Sequence, residues 1–183
     1  GLDIIGVDNA LAEALVIQTA LSILKEEGYK DLSVEVNSIG DKESVKRFEK
    51  ELIAYYKQNS DTLKTAEKKK LVAGSGMELF SSDKDNLVEL NVAAPKPIYF
   101  LSEPAQAHFK EVLEYLEEIK VPYTIADTLM GNKNYFSKVI FVIKGKTGKE
   151  KEVKIVARGG RYDELAGEVT RKRKISAVGL SMD

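Results

Sequence analysis

Leu2, Ile4 and Ile5 form a short apolar run closed by Gly6, which predicts a strand end, and Asp8 or Asn9 then stands where a helix wants its N-cap. Ala10, Ala14, Ile17, Leu21 and Leu24 follow at steps of four and three, the spacing of one helical face, and Gly28 stops that helix. Residues 32–36 alternate as Leu-Ser-Val-Glu-Val, the pattern of a half-buried strand. The opening of the chain reads strand, helix, strand, with Asn37-Ser38-Ile39-Gly40 as the turn that follows.

From residue 41 the texture changes. Val45, Phe48, Leu52 and Tyr55 make one stripe on a long polar helix, a lysine-rich stretch follows, and Gly74-Ser75-Gly76 breaks the pattern. Residues 78–97 are weakly patterned and end at Pro95 and Pro97, so this region reads as an inserted helical lobe. Ser102 is a good N-cap with Pro104 in the first turn, and Phe109, Val112, Leu113, Leu116 and Ile119 give the next helix an apolar face. Strands are expected at 123–125, 135–143, 152–157 and near 175–180, with a hairpin loop at 144–151 and a brief helix at 162–166. The order predicts an α+β fold: an antiparallel sheet core flanked by helices, formed by residues 1–40 and 119–183, with a helical insertion lobe over 41–118.

Composition narrows the chemistry. With 183 residues, 43% of them hydrophobic, the chain can build one substantial core. No apolar stretch approaches the roughly 20 residues that cross a bilayer, so no membrane partner and a cytoplasmic location are expected. There is no cysteine and one histidine, His108, which removes disulfides, thiolate or histidine metal centres and a Ser-His-Asp triad; no metal site is expected. His108 lies beside an apolar helix face and reads as a packed or surface side chain rather than a catalyst. A net charge of -1 lacks the field of a dedicated nucleic-acid binder. Local basic groups exist all the same: Lys64, Lys68, Lys69 and Lys70, then Arg171-Lys172-Arg173-Lys174, and the lysines between 144 and 154. Each is either a solvated face or a phosphate contact.

The most informative stretch is Arg158-Gly159-Gly160-Arg161-Tyr162-Asp163-Glu164-Leu165, directly after the apolar run at 153–157. Two adjacent glycines at a strand end let a ligand or backbone approach closely, and the polar residues beside them supply charge and hydrogen bonds. The plainer alternative is a strand end followed by a surface helix.

Gly159-Gly160-Arg161-Tyr162-Asp163 with Leu165, and Asn37-Ser38-Ile39-Gly40 after a strand, resemble elements of class II aminoacyl-tRNA synthetases, and among them of the histidyl-tRNA synthetase catalytic domain. The stretch from His108-Phe109 through Val121-Pro122-Tyr123 is similar as well, with Lys120 where that family has glycine. The resemblance implies ATP-dependent activation of histidine and its transfer to tRNA, with ATP and magnesium required by the parent and histidine and tRNA as partners. It implies a homodimeric parent. It also implies that Asp3, Tyr135, Gly159, Gly160 and Tyr162 bind substrate, and that Lys64, Lys68, Lys69 and Lys70 on the inserted lobe contact nucleic acid. Asp3 can equally serve to satisfy a strand end.

The departures fall on the chemistry. Where the family's second signature reads Arg-Gly-Leu-Asp-Tyr-Tyr-Thr, this chain has Gly131-Asn132-Lys133-Asn134-Tyr135-Phe136-Ser137. The cation expected to stabilise the activation transition state is therefore Gly131, with Lys133 or Lys138 as possible substitutes, and no catalytic residue is assigned. Phe136 stands in for a tyrosine and Val142 for a glutamate of the histidine pocket. By the same resemblance, the ATP-binding arginines of the class lie before Gly1 and after Asp183, and the absent initiator methionine fits a processed or excised piece. The isolated chain is expected to be inactive and to bind no cofactor tightly. The alternative is a non-catalytic paralogue acting as a regulatory or binding subunit, such as a histidine-biosynthesis regulatory subunit.

Overall fold

The computed structural model describes residues 1–82, 84–132, 134–148, 150–170 and 175–182. Strand β1 (Leu2–Ile5) leads into helix α1 (Leu11–Glu26), whose first N–H is taken by Asn9 Oδ1 at 2.7 Å. Gly28, at φ +87°, turns the chain into β2 (Lys30–Gly40). Helices α2 (Lys42–Gln58), α3 (Thr65–Val72), α4 (Gly76–Phe80) and α5 (Asp85–Ala93) follow, then α6 (Glu103–Glu118) and the short β3 (Tyr123–Ile125). The chain closes with β4 (Ser137–Lys146), β5 (Lys154–Arg161), α7 (Asp163–Thr170) and β6 (Ala177–Met182).

The described strands form one sheet in the order β1-β6-β5-β4-β2-β3. It is mixed rather than wholly antiparallel. β3 joins β2 in parallel, Val34 opposite Tyr123, because α6 carries the chain back along the sheet before β3 begins. Asn37 to Gly40 also depart from the expected turn: they continue β2, with Asn37 opposite Ile140 and Ser38 opposite Val139, and the turn falls on Gly40 at φ +73°. Pairing with β4 overrides their polar, turn-like character, and Ser38 Oγ donates to Lys138 O at 2.9 Å.

One face of the sheet carries the main core. The predicted stripe of α1, Ala10 to Leu24, packs with Phe109, Val112 and Leu116 of α6 against Val36, Phe141, Ala157 and Val178. Of the expected insertion at 41–118, α2 to α5 build a separate cluster on Phe48, Leu52, Tyr56, Leu79 and Leu87, whereas α6 packs on α1 and the sheet.

The lobe leaves and rejoins the sheet domain at one point. Asp41 Oδ1 caps α2 through Ser44 N–H at 2.9 Å, while its Oδ2 accepts from Ser102 Oγ at 2.6 Å. Ser102 in turn caps α6 through Ala105 N–H at 3.3 Å, and its own N–H donates to Ser44 Oγ at 2.8 Å. Burial pushes the Asp41 carboxyl up, but these donors more than offset it and hold it below its usual range.

Candidate active site

Side chains alternate across the sheet, so a residue row facing away from α1 and α6 can be read from the register. That row runs Asp3, Gly179, Gly160, Ile140, Asn37 across five strands. Its second and third positions are glycines, and neighbouring side chains lie over the space that theirs would take. The Asp3 carboxylate lies over Gly179: a Cβ there would stand 1.9 Å from Asp3 Oδ1 and 2.8 Å from Leu2 O. The Phe136 ring lies over Gly160, where a Cβ would stand 2.9 Å from Phe136 Cδ1 and 2.7 Å from Val139 O.

Beside Asp3 opens a cavity of about 560 Å3, lined among others by Asp3, Tyr135, Arg158, Tyr162 and Gly179; Gly160, expected to bind substrate, lies under the Phe136 ring and does not line it. Tyr162 donates its hydroxyl to Asp3 Oδ1 at 2.7 Å. Its pKa is raised, first by burial and then by the Asp3 hydrogen bond, so the phenol stays protonated as the donor that orients the carboxylate. The rings of Tyr135 and Tyr162 lie 5.7 Å apart, and Phe136 meets Tyr135 edge-on at 4.6 Å, making one aromatic wall. The arrangement offers a fixed anion, flat aromatic surface and close backbone, suited to a small cationic or zwitterionic ligand.

The Gly-Gly-Arg-Tyr-Asp element divides between the two faces of the sheet. Tyr162 lines the cavity, and Gly160 lies on the same face of the sheet beneath Phe136. Gly159 points the other way, where a Cβ would meet Phe141 Cζ at 2.5 Å; it lines the cavity with backbone only. Arg161 is wholly buried on the helix side and gives Nε to Glu13 Oε1 at 2.7 Å, Nη2 to Glu13 Oε2 at 2.5 Å and Nη1 to Val7 O at 3.0 Å. His108 Nε2 meets the same Glu13 Oε1 at 2.6 Å, so the chain's single histidine is a packed member of an ion cluster joining α1, β5 and α6. Burial works against the Glu13 charge, yet Arg161 and then His108 hold its carboxyl below the usual range. Asp163 completes the cluster, accepting from Arg161 Nη1 at 3.4 Å and from Ala177 N–H at 2.9 Å.

The remaining predicted positions lie elsewhere. Lys138 does not line the cavity; its ammonium is held by Asp8 at 2.8 Å and Asp163 at 3.3 Å. Lys133 and the run 171–174 lie outside the described residues. Lys64, Lys68, Lys69 and Lys70 are exposed at or on α3 of the helical lobe, with Lys70 paired to Glu78 at 2.9 Å. Gly131 packs against Phe136, and Val142 is buried in β4. Sequence reasoning missed Gly179, Arg158 and Asn132 as parts of the cavity. Gly179 carried a usable signal: a glycine between Val178 and Leu180 of a strand marks close approach of another group.

The sequence pattern of histidyl-tRNA synthetases matches residues 1–183, the whole chain. The chain belongs to the histidyl-tRNA synthetase family. Relatives include the chloroplastic histidine–tRNA ligase of Pyropia yezoensis, 31% identical over 182 residues, with 100% of this chain and 41% of that protein covered. The histidine–tRNA ligase of Bacillus licheniformis is 29% identical over 182 residues, covering 100% of this chain and 42% of its own length. The chain thus spans about two fifths of the curated relatives it matches. In fold it is similar to apo histidyl-tRNA synthetase of S. aureus, with a TM-score of 0.73 at 22% identity over 98% of this chain and 43% of that one. The ATP phosphoribosyltransferase regulatory subunit/histidyl-tRNA synthetase from Bacillus halodurans C is similar in fold, with a TM-score of 0.57 at 20% identity over 98% of this chain and 49% of that one. The α+β sheet with its flanking helices is that of the class II histidyl-tRNA synthetase catalytic domain, and this chain is a histidyl-tRNA synthetase-like domain. Among the described residues no helix is long and apolar enough to cross a membrane.

Proposed function

We propose that this chain is the amino-acid-holding part of a catalytic domain whose whole protein activates histidine with ATP and transfers it to tRNA. The observation that carries the reading is the Asp3 carboxylate, which lies over Gly179 and is held by the Tyr162 hydroxyl at 2.7 Å. A fixed carboxylate beside tyrosine rings suits an ammonium group and a flat imidazole, and the glycines give the room that lets Asp3 and Phe136 lie close on the sheet. ATP with magnesium is then the co-substrate of the whole protein, which acts in the cytoplasm as a homodimer. The exposed lysines at and on α3 are its contact with tRNA phosphates, and the lobe that presents them is the segment from α2 to α5, closed at Asp41 and Ser102. Histidine-dependent pyrophosphate exchange by the full-length protein tests the reading. Exchange that responds to histidine and to no other amino acid supports it, and well-folded protein without exchange sinks it.

A second reading, a regulatory or binding subunit, is favoured by Gly131, Phe136 and Val142, where the resemblance calls for polar groups. It predicts histidine binding without exchange.

A further inference from the structure

We propose that Arg158 is the anion-binding residue of the cavity, taking a carboxylate or phosphoryl oxygen of the ligand whose ammonium group sits at Asp3; this deepens the amino-acid reading of the site and rests on it. The resemblance places the activating cation at position 131, and this chain has glycine there. The structure assigns the charge to a neighbouring strand instead.

The described residues include three arginines, and their partners separate them. Arg47 pairs with Glu43 on the exposed side of α2, and Arg161 is buried against Glu13. Arg158 alone of the three lines the cavity, and among the described residues its guanidinium has no hydrogen bond or ion pair. It is also the one cationic side chain among the described residues lining the cavity, since Lys138 is held between Asp8 and Asp163.

Register gives the direction. Arg158 lies two residues before Gly160 on β5, so it projects from the same face as the Asp3–Gly179–Gly160 row, beside Ser181 of β6. Two strand spacings and a two-residue step put the Arg158 and Asp3 backbones about 10 Å apart across the sheet and about 7 Å along it. An anion receptor and a cation receptor then line the same cavity, the complement of a zwitterion or of an ammonium joined to a phosphoryl group. The planar guanidinium can take two oxygens of either group at once.

The test uses the 183-residue chain, its Arg158→Met and Arg158→Lys variants, and three titrants in calorimetry: histidine, histidinol, which lacks the carboxylate, and inorganic pyrophosphate. Arg158 is exposed, so both variants should melt with the parent chain. If the anion is the carboxylate, Arg158→Met weakens histidine roughly 10- to 100-fold, leaves histidinol within about twofold, and Arg158→Lys falls between. If it is a phosphoryl group, pyrophosphate weakens by that factor and histidine does not. Histidine binding that neither variant changes, with pyrophosphate equally indifferent, overturns the role of Arg158 while leaving the amino-acid reading intact. Pyrophosphate binding that depends on Arg158 in a chain that ignores histidine removes the amino-acid reading and keeps the anion site. Failure of the unsubstituted chain to bind either anion overturns both.

Discussion

The Phe136 ring occupies the space in which a side chain at residue 131 would begin: a Cβ on Gly131 would lie 2.6 Å from Phe136 Cδ2 and 3.4 Å from Ile140 Cγ2. The same ring covers Gly160 from its other edge. Gly131, Phe136 and Gly160 are therefore one packing unit, and the two departures at 131 and 136 are coupled. Gly131→Arg alone should not raise histidine-dependent pyrophosphate exchange in the full-length protein. It should cost roughly 1–3 kcal/mol as the ring is displaced. Urea denaturation of Gly131→Arg, Phe136→Ala and the double variant measures the coupling: the double variant should be less destabilised than the sum of the singles, and strict additivity would refute the shared packing.

Gly179 offers the most direct way to disturb Asp3 without touching it. A methyl at that position collides with Asp3 Oδ1 and crowds Leu2 O. Gly179→Ala should rotate the carboxylate away from Tyr162, weaken histidine binding about tenfold or more, and cost about 1–3 kcal/mol of stability. Tyr162→Phe, which removes only the hydroxyl, should weaken binding with little loss of stability. Calorimetry and urea melts on the two variants separate the effects.

Glu13 shares the buried charge of Arg161 and sets the acid limb of stability. Its carboxyl is lowered in the fold from an ordinary value of 4.5, so the stabilisation is fully present above that value and is lost as pH falls through the folded pKa. Glu13→Gln removes the closer of the two buried carboxylates that hold Arg161, leaving Asp163 at 3.4 Å, and should cost up to roughly 3–5 kcal/mol at neutral pH. The variant should also lose less further stability on acidification than the parent chain. Urea midpoints measured from pH 7 down to about 3 test both statements, and an unchanged acid limb would count against Glu13 as a contributor.

On the lobe, Lys64, Lys68 and Lys69 are exposed, while Lys70 is engaged with Glu78. Reversing the first three to glutamate should weaken tRNA binding by the full-length protein and flatten its salt dependence, while Lys70→Gln should matter less. Filter binding of tRNA over a salt series reads this. A slope that does not change would place the tRNA elsewhere.

Where a segment's structure is dictated by its own periodicity, the sequence was legible. The α1 stripe and the Ser102 cap emerge from local spacing alone, whereas β5, expected at 152–157, runs on through Gly159 and Gly160 to Arg161 because pairing with β4 and β6 continues there. Asn37 to Gly40 and α5 were not legible locally either, because distant partners decide them. Asn37 and Ser38 are strand residues by pairing with β4. Asn91, a poor helix former, sits buried in α5 because Tyr56 donates to its Oδ1 at 2.6 Å and its Nδ2 donates to Leu79 O at 2.9 Å. The site divides in the same way. Asp3, Tyr135 and Tyr162 were found through motif resemblance and meet in one cavity, whereas Gly179 and Arg158 joined them only through strand register.

The clasp between Asp41 and Ser102 has an evolutionary reading. Because α2 departs and α6 arrives at the same pair of interlocked caps, everything between them is an excursion with a single doorway. Change within such a segment need not move the two ends of the chain that β2 and α6 receive, although Met130 and Glu164 of the sheet domain also touch the lobe. The architecture lets selection alter what the lobe grips on a different schedule from what the sheet binds.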